Sequence, residues 1–184
     1  MSSIFQAGGA LLHNSSTYVE RQTDVDALRT ILNGEYLHII APRQYGKTSL
    51  LKHLKRILEE DGWHCAYVDL TNCMKCSKSA WYKNLGKELA RQLTASRSDP
   101  QLADQIDLRT YLFDLLDPPS SLSEGEPRIA LLWDEVEGAC IPRDDRGEPF
   151  HEDFFMMLRA LYNERDSYNG TLDRKSTRLN SSHT

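Results

Sequence analysis

One stretch, YLHIIAPRQYGKTSLL at 36–51, constrains the fold more than any other part of the chain. It opens with a short apolar run, Tyr36 to Ile40, which predicts a buried strand because it is brief and bounded by breakers. Pro42 and Gly46 then predict a tight loop, and the apolar spacing after Lys47 predicts a helix. A strand, a tight loop, Gly-Lys-Thr and a helix, in that order, form the context that a phosphate-binding loop requires.

The chemistry of this loop suits a phosphate group. Backbone N–H groups of such a loop point inward at phosphate oxygens, and the positive end of the following helix faces the same anion. Lys47 would reach the β- and γ-phosphates, and the hydroxyl of Thr48 would bind Mg²⁺. Ala41 stands where the motif has its first glycine, and alanine costs more than glycine where φ must be positive. The competing interpretation is an ordinary strand–turn–helix joint that contains Gly-Lys-Thr by chance.

A second apolar run, RIALLWDE from Arg128 to Glu135, predicts a buried strand that ends in two carboxylates. Asp134 would hold Mg²⁺, usually through water, and Glu135 would polarise an attacking water molecule. The alternative is a strand that simply ends in solvated acids. Both motifs come in the order that a nucleotide site requires, with a strand and helices between them, so we interpret them as two halves of one site.

The segments around these motifs predict helices and one more strand. The helix after the loop carries an apolar stripe of Leu50, Leu51, Leu54 and Leu58, and it leads to a strand at 64–70. A helix that joins two strands in this way implies a right-handed, parallel βαβ unit. An earlier helix is predicted to begin at Thr23 as its N-cap and to present an apolar face of Val25, Leu28, Ile31 and Leu32. Further helices are predicted around 81–93, 108–116 and 154–162.

Composition places the chain among ordinary soluble domains. Its 184 residues suffice for one domain with a real core, and 27% charged and 40% hydrophobic residues are typical values. The net charge of −5 does not favour a nucleic-acid surface, and no apolar run reaches the length of a membrane span. The N-terminus lacks the pattern of a signal peptide, which predicts a cytoplasmic location. Cys73 and Cys76 have zinc-like spacing, but no second pair follows, so loop thiols are the favoured interpretation.

Several of these segments, taken together, resemble the bacterial AAA-like ATPase domain, over about Thr17 to Leu172. The segments that carry the resemblance are 18–21, 41–50, 67–71, 132–136, 152–155 and 162–165. The resemblance implies a P-loop NTPase three-layer sandwich, an α/β fold with a mainly parallel sheet. It also implies ATP and Mg²⁺ as ligands, and a place as the N-terminal part of a longer bacterial protein whose other modules would contact protein partners. An oligomer is compatible with it.

The resemblance also implies roles for individual residues. Nucleotide would lie on Pro42, Arg43, Gln44, Tyr45, Gly46, Lys47, Thr48 and Ser49, with Tyr18 and Arg21 near the base. Thr48 and Asp134 would hold Mg²⁺, and Lys47 and Glu135 would be catalytic. ATP hydrolysis would be coupled to conformational change. Two other functions stay open: a nucleotide-dependent signalling switch with little turnover, and a small-molecule kinase, for which the sequence shows no acceptor pocket.

The sequence divides into three predicted parts. Residues 1–17 would be a flexible lead-in, 18–172 the domain, and 173–184 a non-native tail without apolar periodicity. The family continues after the helix at Phe154 with a further strand, and none is evident here, so the domain is expected to be incomplete. That strand would lie between the phosphate-loop strand and the acidic strand. Its absence would leave a gap of roughly 10 Å, which predicts a poorly stable fragment that lacks turnover.

Overall fold

The computed structural model describes residues 18–42, 44–73, 77–93, 100–116, 128–140, 143–144 and 146–164. The predicted lead-in at 1–17, the end of the domain at 165–172 and the tail at 173–184 lie outside these residues. The elements in chain order are α1 (Gln22–Leu32), α2 (Lys47–Glu60), β1 (His64–Asp69), α3 (Lys78–Leu93), α4 (Gln105–Leu116), β2 (Ile129–Asp134) and α5 (151–164). Short 3-10 helices, Leu70–Cys73 and Val136–Cys140, follow the two strands.

The two strands form a parallel pair with helices on both faces. Their register runs from His64 opposite Ile129 to Asp69 opposite Asp134. On one face, Cys65 of β1 packs with Leu58 of α2, while the alternate side chains of β1 join the core that α3 covers. Buried members of that larger core include Ala66, Val68, Trp81, Leu85, Leu89, Leu108 and Phe154. This mixed architecture with a parallel sheet agrees with the predicted α/β class.

The run from Tyr36 to Ile40 predicts a buried strand, and this prediction is wrong. The structure gives the run no strand conformation and no ladder partner within the described residues, and Ile40 is 86% exposed. Leu37 and Ile39 do pack inward, against buried side chains of α1 and α2. A groove of about 680 Å³, with many apolar side chains along it, lies between residues 34–41 and β2. A strand needs hydrogen bonds to a neighbouring strand, and the groove separates the run from β2, the strand that faces it.

α1 begins two residues earlier than its local sequence predicts. Its N-cap is Arg21 rather than Thr23, and the carboxylate of Asp24, three residues on, accepts a hydrogen bond from the Arg21 backbone N–H at 3.0 Å. The predicted apolar face is correspondingly rotated, with Val25 and Leu32 37% and 49% exposed. The inward positions belong to Asp24, Ala27, Leu28 and Ile31. A carboxylate takes one of them because Arg21 and Tyr18 supply its hydrogen bonds.

The two 3-10 helices pack on each other at the ends of the strands, and Gly138 makes their close approach feasible. A Cβ on this glycine would lie 2.5 Å from the carbonyl carbon of Leu70 and 2.7 Å from the backbone nitrogen of Thr71. Both are main-chain atoms, so they cannot move aside as a flexible side chain would. The residues that leave β1 and β2 are therefore held close together beside Asp69 and Asp134.

We expect Gly138→Ala to lower the free energy of unfolding by about 1–3 kcal/mol, because the added methyl group must displace backbone. Urea unfolding followed by circular dichroism measures the change. Glu137→Ala, an exposed neighbour in the same 3-10 helix, is the control and should stay within about 0.5 kcal/mol of the parent. An unfolding midpoint for Gly138→Ala equal to that of the control would contradict the proposed clash.

Candidate functional site

The loop before α2 has the conformation that its glycine predicts. Gly46 is the N-cap of α2 with φ of +81°, and Gln44 is also left-handed with φ of +64°. α2 begins at Lys47, so the N–H groups of its first turn lie at the end of the helix that adjoins the loop. Of the predicted nucleotide-binding residues, Pro42 and the six from Gln44 to Ser49 lie in this joint, and Arg43 lies outside the described residues.

Lys47 spans the loop from the first turn of α2. Its Nζ donates to the carbonyl oxygen of Ala41 at 2.7 Å and, more weakly, to that of Pro42 at 3.5 Å. Both acceptors are neutral main-chain groups. An anionic oxygen forms a stronger hydrogen bond with an ammonium than a neutral carbonyl does, so an anion in the loop could take this contact over.

The two sequence motifs meet at Asp134, the last residue of β2. This carboxylate is 4% exposed, and its Oδ2 accepts a hydrogen bond from the Thr48 hydroxyl at 2.7 Å. Its Oδ1 accepts from the backbone N–H of Glu135 at 3.0 Å. Thr48 and Asp134, the predicted Mg²⁺ ligands, are thus in direct contact although 86 positions separate them. Hydroxyl and carboxylate oxygens are hard donors of the kind that Mg²⁺ prefers, so the residues present fit that ion.

Tyr67 of β1 is a second side-chain donor to Asp134. The sequence motifs give Tyr67 no role. Its hydroxyl donates to the same Oδ2 at 2.7 Å. Burial raises the pKa of the phenol, and the hydrogen bond to Asp134 raises it further, so the hydroxyl keeps its proton at neutral pH. The side-chain amide of Gln92 pairs with both the N–H and the carbonyl of Tyr67, which fixes this part of β1. Strand alternation places Tyr67 on the face of α2, but no local motif marks it.

Glu135 follows Asp134 with an unusual backbone. Its φ is +48°, which a non-glycine residue adopts at a cost of about 1–3 kcal/mol. Its carbonyl accepts a hydrogen bond from the N–H of Gly138 at 2.7 Å, which closes the turn into the second 3-10 helix. The side chain is exposed and borders the groove beside β2. Such backbone strain is concentrated at functional positions.

A hydrogen-bonded cluster from the N-terminal end of α1 borders the loop. Asp24, 2% exposed, accepts from the Tyr18 hydroxyl at 2.8 Å and from the Arg21 Nε at 3.2 Å. Burial would raise the pKa of this carboxyl, but the hydrogen bonds from Arg21 and Tyr18 outweigh burial and hold it below its usual value. Burial and Asp24 raise the pKa of Tyr18 to about 12. Arg21 also donates to the Tyr45 carbonyl, which places the cluster against the loop.

Sequence reasoning missed Asp24, although it placed Tyr18 and Arg21 near the site. An acidic residue three positions after a helix N-cap is a recognisable signal, but an N-cap at Thr23 places that position at Asp26 rather than Asp24. The interpretation of Cys73 and Cys76 as loop thiols rather than zinc ligands stays a prediction. Cys76 lies outside the described residues, and those residues contain no group of three or more His, Cys, Asp or Glu side chains that could hold a metal ion.

We expect Tyr67→Phe to lower the free energy of unfolding by about 1.5–3 kcal/mol at neutral pH, because a buried carboxylate loses a hydrogen bond. Urea titration of the two proteins measures the difference. Tyr111→Phe is the matched control, since the buried Tyr111 hydroxyl has no hydrogen-bond partner within the described part of the chain. Removing it should be neutral or slightly stabilising. Equal losses in both variants would show that the Tyr67 hydroxyl contributes nothing through Asp134.

The chain folds as a mixed α/β domain in which a loop leads into a helix with glycine at its N-cap. This chain belongs to the AAA-like domain family, whose family model matches residues 6–171. Membership of that family indicates a nucleotide-binding, ATPase-type function. Within the described ranges, no helix has both the length and the apolar character needed to span a bilayer.

A curated relative comes from Synechocystis sp. (strain ATCC 27184 / PCC 6803 / Kazusa). It is the uncharacterized WD repeat-containing protein slr0143, 27% identical to this chain over 178 residues. The match covers 89% of this chain but 14% of that protein, so the chain spans a small part of the relative's length. No solved structure matches the chain significantly.

Proposed function

We propose that this chain binds Mg-ATP on the loop from Pro42 to Ser49 and is the ATPase domain of a larger protein, where ATP hydrolysis drives conformational change. The observation that carries the proposal is the 2.7 Å contact between the Thr48 hydroxyl and Asp134. It joins a loop suited to phosphate with a carboxylate suited to Mg²⁺, at the carboxyl end of a parallel strand. Family membership supports the same function.

Each loop residue has a physical reason for its role. The N–H groups of the first turn of α2 would bind phosphate oxygens, and the helix dipole would favour their negative charge. Lys47 would exchange the Ala41 carbonyl for the β- and γ-phosphates, which form the stronger hydrogen bond. Arg21 contacts this loop and shares the Asp24 carboxylate with Tyr18, and we place the base of the nucleotide near these two residues.

Mg²⁺ would be held by Thr48 and Asp134. When bound, the ion would neutralise charge on the phosphates. Tyr67 would keep Asp134 oriented, because its hydroxyl holds the same carboxylate oxygen. Glu135, the next residue, would accept a proton from the attacking water as a general base. Its exposed side chain leaves room for that water.

The finer architecture is also a proposal. We infer a P-loop three-layer sandwich in which a further strand fills the groove between residues 34–41 and β2. Two segments of main chain border that groove, so an extended strand is the occupant that would satisfy both. WD repeats in the Synechocystis relative suggest that further modules contact protein partners. We place the protein in the cytoplasm, where ATP is available.

Isothermal titration calorimetry with ATP, in the presence of Mg²⁺ and in the presence of EDTA, tests the proposal. We expect binding that weakens when the metal is chelated. Phosphate release over many turnovers, measured in the larger protein that carries this domain, then separates an ATPase from a slow nucleotide switch, which would bind ATP equally well but release little phosphate. Absence of ATP binding under both conditions would overturn the proposed function.

A further inference from the structure

We propose that Arg21 is a positioning residue that fixes the orientation of one peptide unit in the phosphate loop, and that buried Asp24 anchors it for this purpose. The proposal rests on the proposed function, because its ligand is the phosphate chain of the nucleotide. It assigns Arg21 a contact with the loop itself, in addition to any contact with the base.

The anchor is well defined. The Asp24 carboxylate accepts hydrogen bonds from the backbone N–H of Arg21 at 3.0 Å and from the Tyr18 hydroxyl at 2.8 Å. The guanidinium approaches Oδ1 of Asp24 through two nitrogens, Nε at 3.2 Å and Nη2 at 3.1 Å. Because a guanidinium is planar and rigid, these two contacts determine where its third nitrogen points. The arrangement leaves Nη1 directed at the loop.

Nη1 of Arg21 donates to the carbonyl oxygen of Tyr45 at 3.1 Å. That carbonyl and the N–H of Gly46 belong to one peptide unit, and in a trans peptide they point in opposite directions. Holding the carbonyl towards Arg21 therefore directs the Gly46 N–H away from Arg21. In a loop whose N–H groups bind an anion, this sets the direction of one phosphate donor.

The loop has reason to need this restraint. Gln44 and Gly46, the residues on either side of Tyr45, both have positive φ, and Gln44 pays for it with strain. Without an external partner, this peptide unit could rotate about ψ of Tyr45 and φ of Gly46, because glycine restricts φ least of all residues. A second contact ties the same cluster to α2, since the ring of Tyr18 stacks on His53 with centroids 4.4 Å apart. The buried Asp24 carboxylate is thus connected to the loop through Arg21 and to α2 through Tyr18.

Inorganic tripolyphosphate represents the phosphate chain of ATP, and adenosine represents its base and sugar. Comparing the affinities of the two ligands therefore tests whether a variant affects the phosphate loop. In the full chain, Arg21→Met keeps the apolar stem and removes the donors. We expect its affinity for Mg-ATP and for Mg-tripolyphosphate to fall about 10-fold or more, the loss of one charge-assisted hydrogen bond, and its affinity for adenosine to fall less. Arg21→Lys should show a similar loss, because one ammonium cannot reproduce the fork that joins Asp24 to Tyr45.

Arg29→Met is the control, since Arg29 lies at the other end of α1 with an exposed ion pair to Asp26. It should bind all three ligands like the parent. Arg21→Met leaves the Asp24 carboxylate with fewer donors, so Arg21→Met with Asp24→Asn provides a second variant without that buried charge. Thermal unfolding of each variant identifies any that fail to fold. The same selective loss is expected in whichever variant folds.

The outcomes separate this proposal from the proposed function. If the parent chain binds tripolyphosphate and Lys47→Ala weakens that binding, the loop binds phosphate. Parent-like tripolyphosphate affinity in the folded Arg21 variants would then overturn the positioning role alone. Equal losses for tripolyphosphate and adenosine would also overturn it, because they would indicate a general effect on the fold. A parent chain that binds neither ATP nor tripolyphosphate would overturn both proposals.

Discussion

Glu135→Gln is expected to leave Mg-ATP bound while lowering turnover by about 10²–10⁴-fold in the protein that carries this domain. Glutamine has the shape of glutamate, so the turn at φ of +48° and the hydrogen bond from Gly138 should persist. It cannot take a proton from water at neutral pH, however, so the step that needs a base is lost. Affinity and turnover should therefore separate in this variant.

Calorimetry gives the affinity of this variant, and steady-state phosphate release gives its rate. Glu137→Gln is the control, because Glu137 is an exposed carboxylate two residues further along the same turn. Its turnover should match the parent. Normal phosphate release by Glu135→Gln would rule out a general base at this position, and loss of ATP affinity would point to a role in binding instead.

Lys47→Ala is expected to weaken Mg-ATP binding by about 1.5–3 kcal/mol, or about 10- to 150-fold. In the parent, the Lys47 ammonium donates to neutral carbonyl oxygens of the loop, so its charge is available to a phosphate oxygen. The variant lacks this ammonium. Alanine is also an excellent helix former, so the first turn of α2 should be preserved. The loss should be smaller for adenosine than for ATP, because the contact is with phosphate.

Titration of ATP into both proteins, with circular dichroism as a check on helix content, measures this effect. Lys83→Ala is the control, because Lys83 is an exposed residue of α3. It removes an equal charge without touching the loop. Unchanged affinity in Lys47→Ala would be fatal to the phosphate-loop assignment, and equal losses in both variants would indicate a long-range charge effect.

Elements with both a clear period and a clear end could be predicted from the sequence. α2 begins at Lys47 and buries Leu50, Leu54 and Leu58, and the acidic strand runs from Ile129 to Asp134, as their patterns predict. These patterns indicate which side chains are buried. Strands of a parallel sheet are covered on both faces, so their burial is visible in the local sequence. The motif order also predicted that Thr48 and Asp134 would meet, and they do.

The failures share one physical cause, which is that a local pattern does not identify a distant partner. The run from Tyr36 to Ile40 has the apolar character of a strand, but a strand exists only if another chain segment pairs with it. Thr23 is a good N-cap by residue type, yet Arg21 is the cap because Asp24 also binds Tyr18. Tyr67 donates to Asp134 from 67 positions away, and no local rule could show it.

The parallel pairing of β1 and β2 has a kinetic consequence. Parallel strands distant in sequence must close a long loop before any of their contacts contribute, and such non-local topologies fold slowly. Thr48 and Asp134, 86 positions apart, can meet only after that closure. A ligand bound by both would therefore favour the closed state over the open chain by RT ln(1 + [L]/Kd), about 2.7 kcal/mol at 100 times Kd. Nucleotide would then slow the opening of the sheet, so its concentration would set how long the folded domain survives.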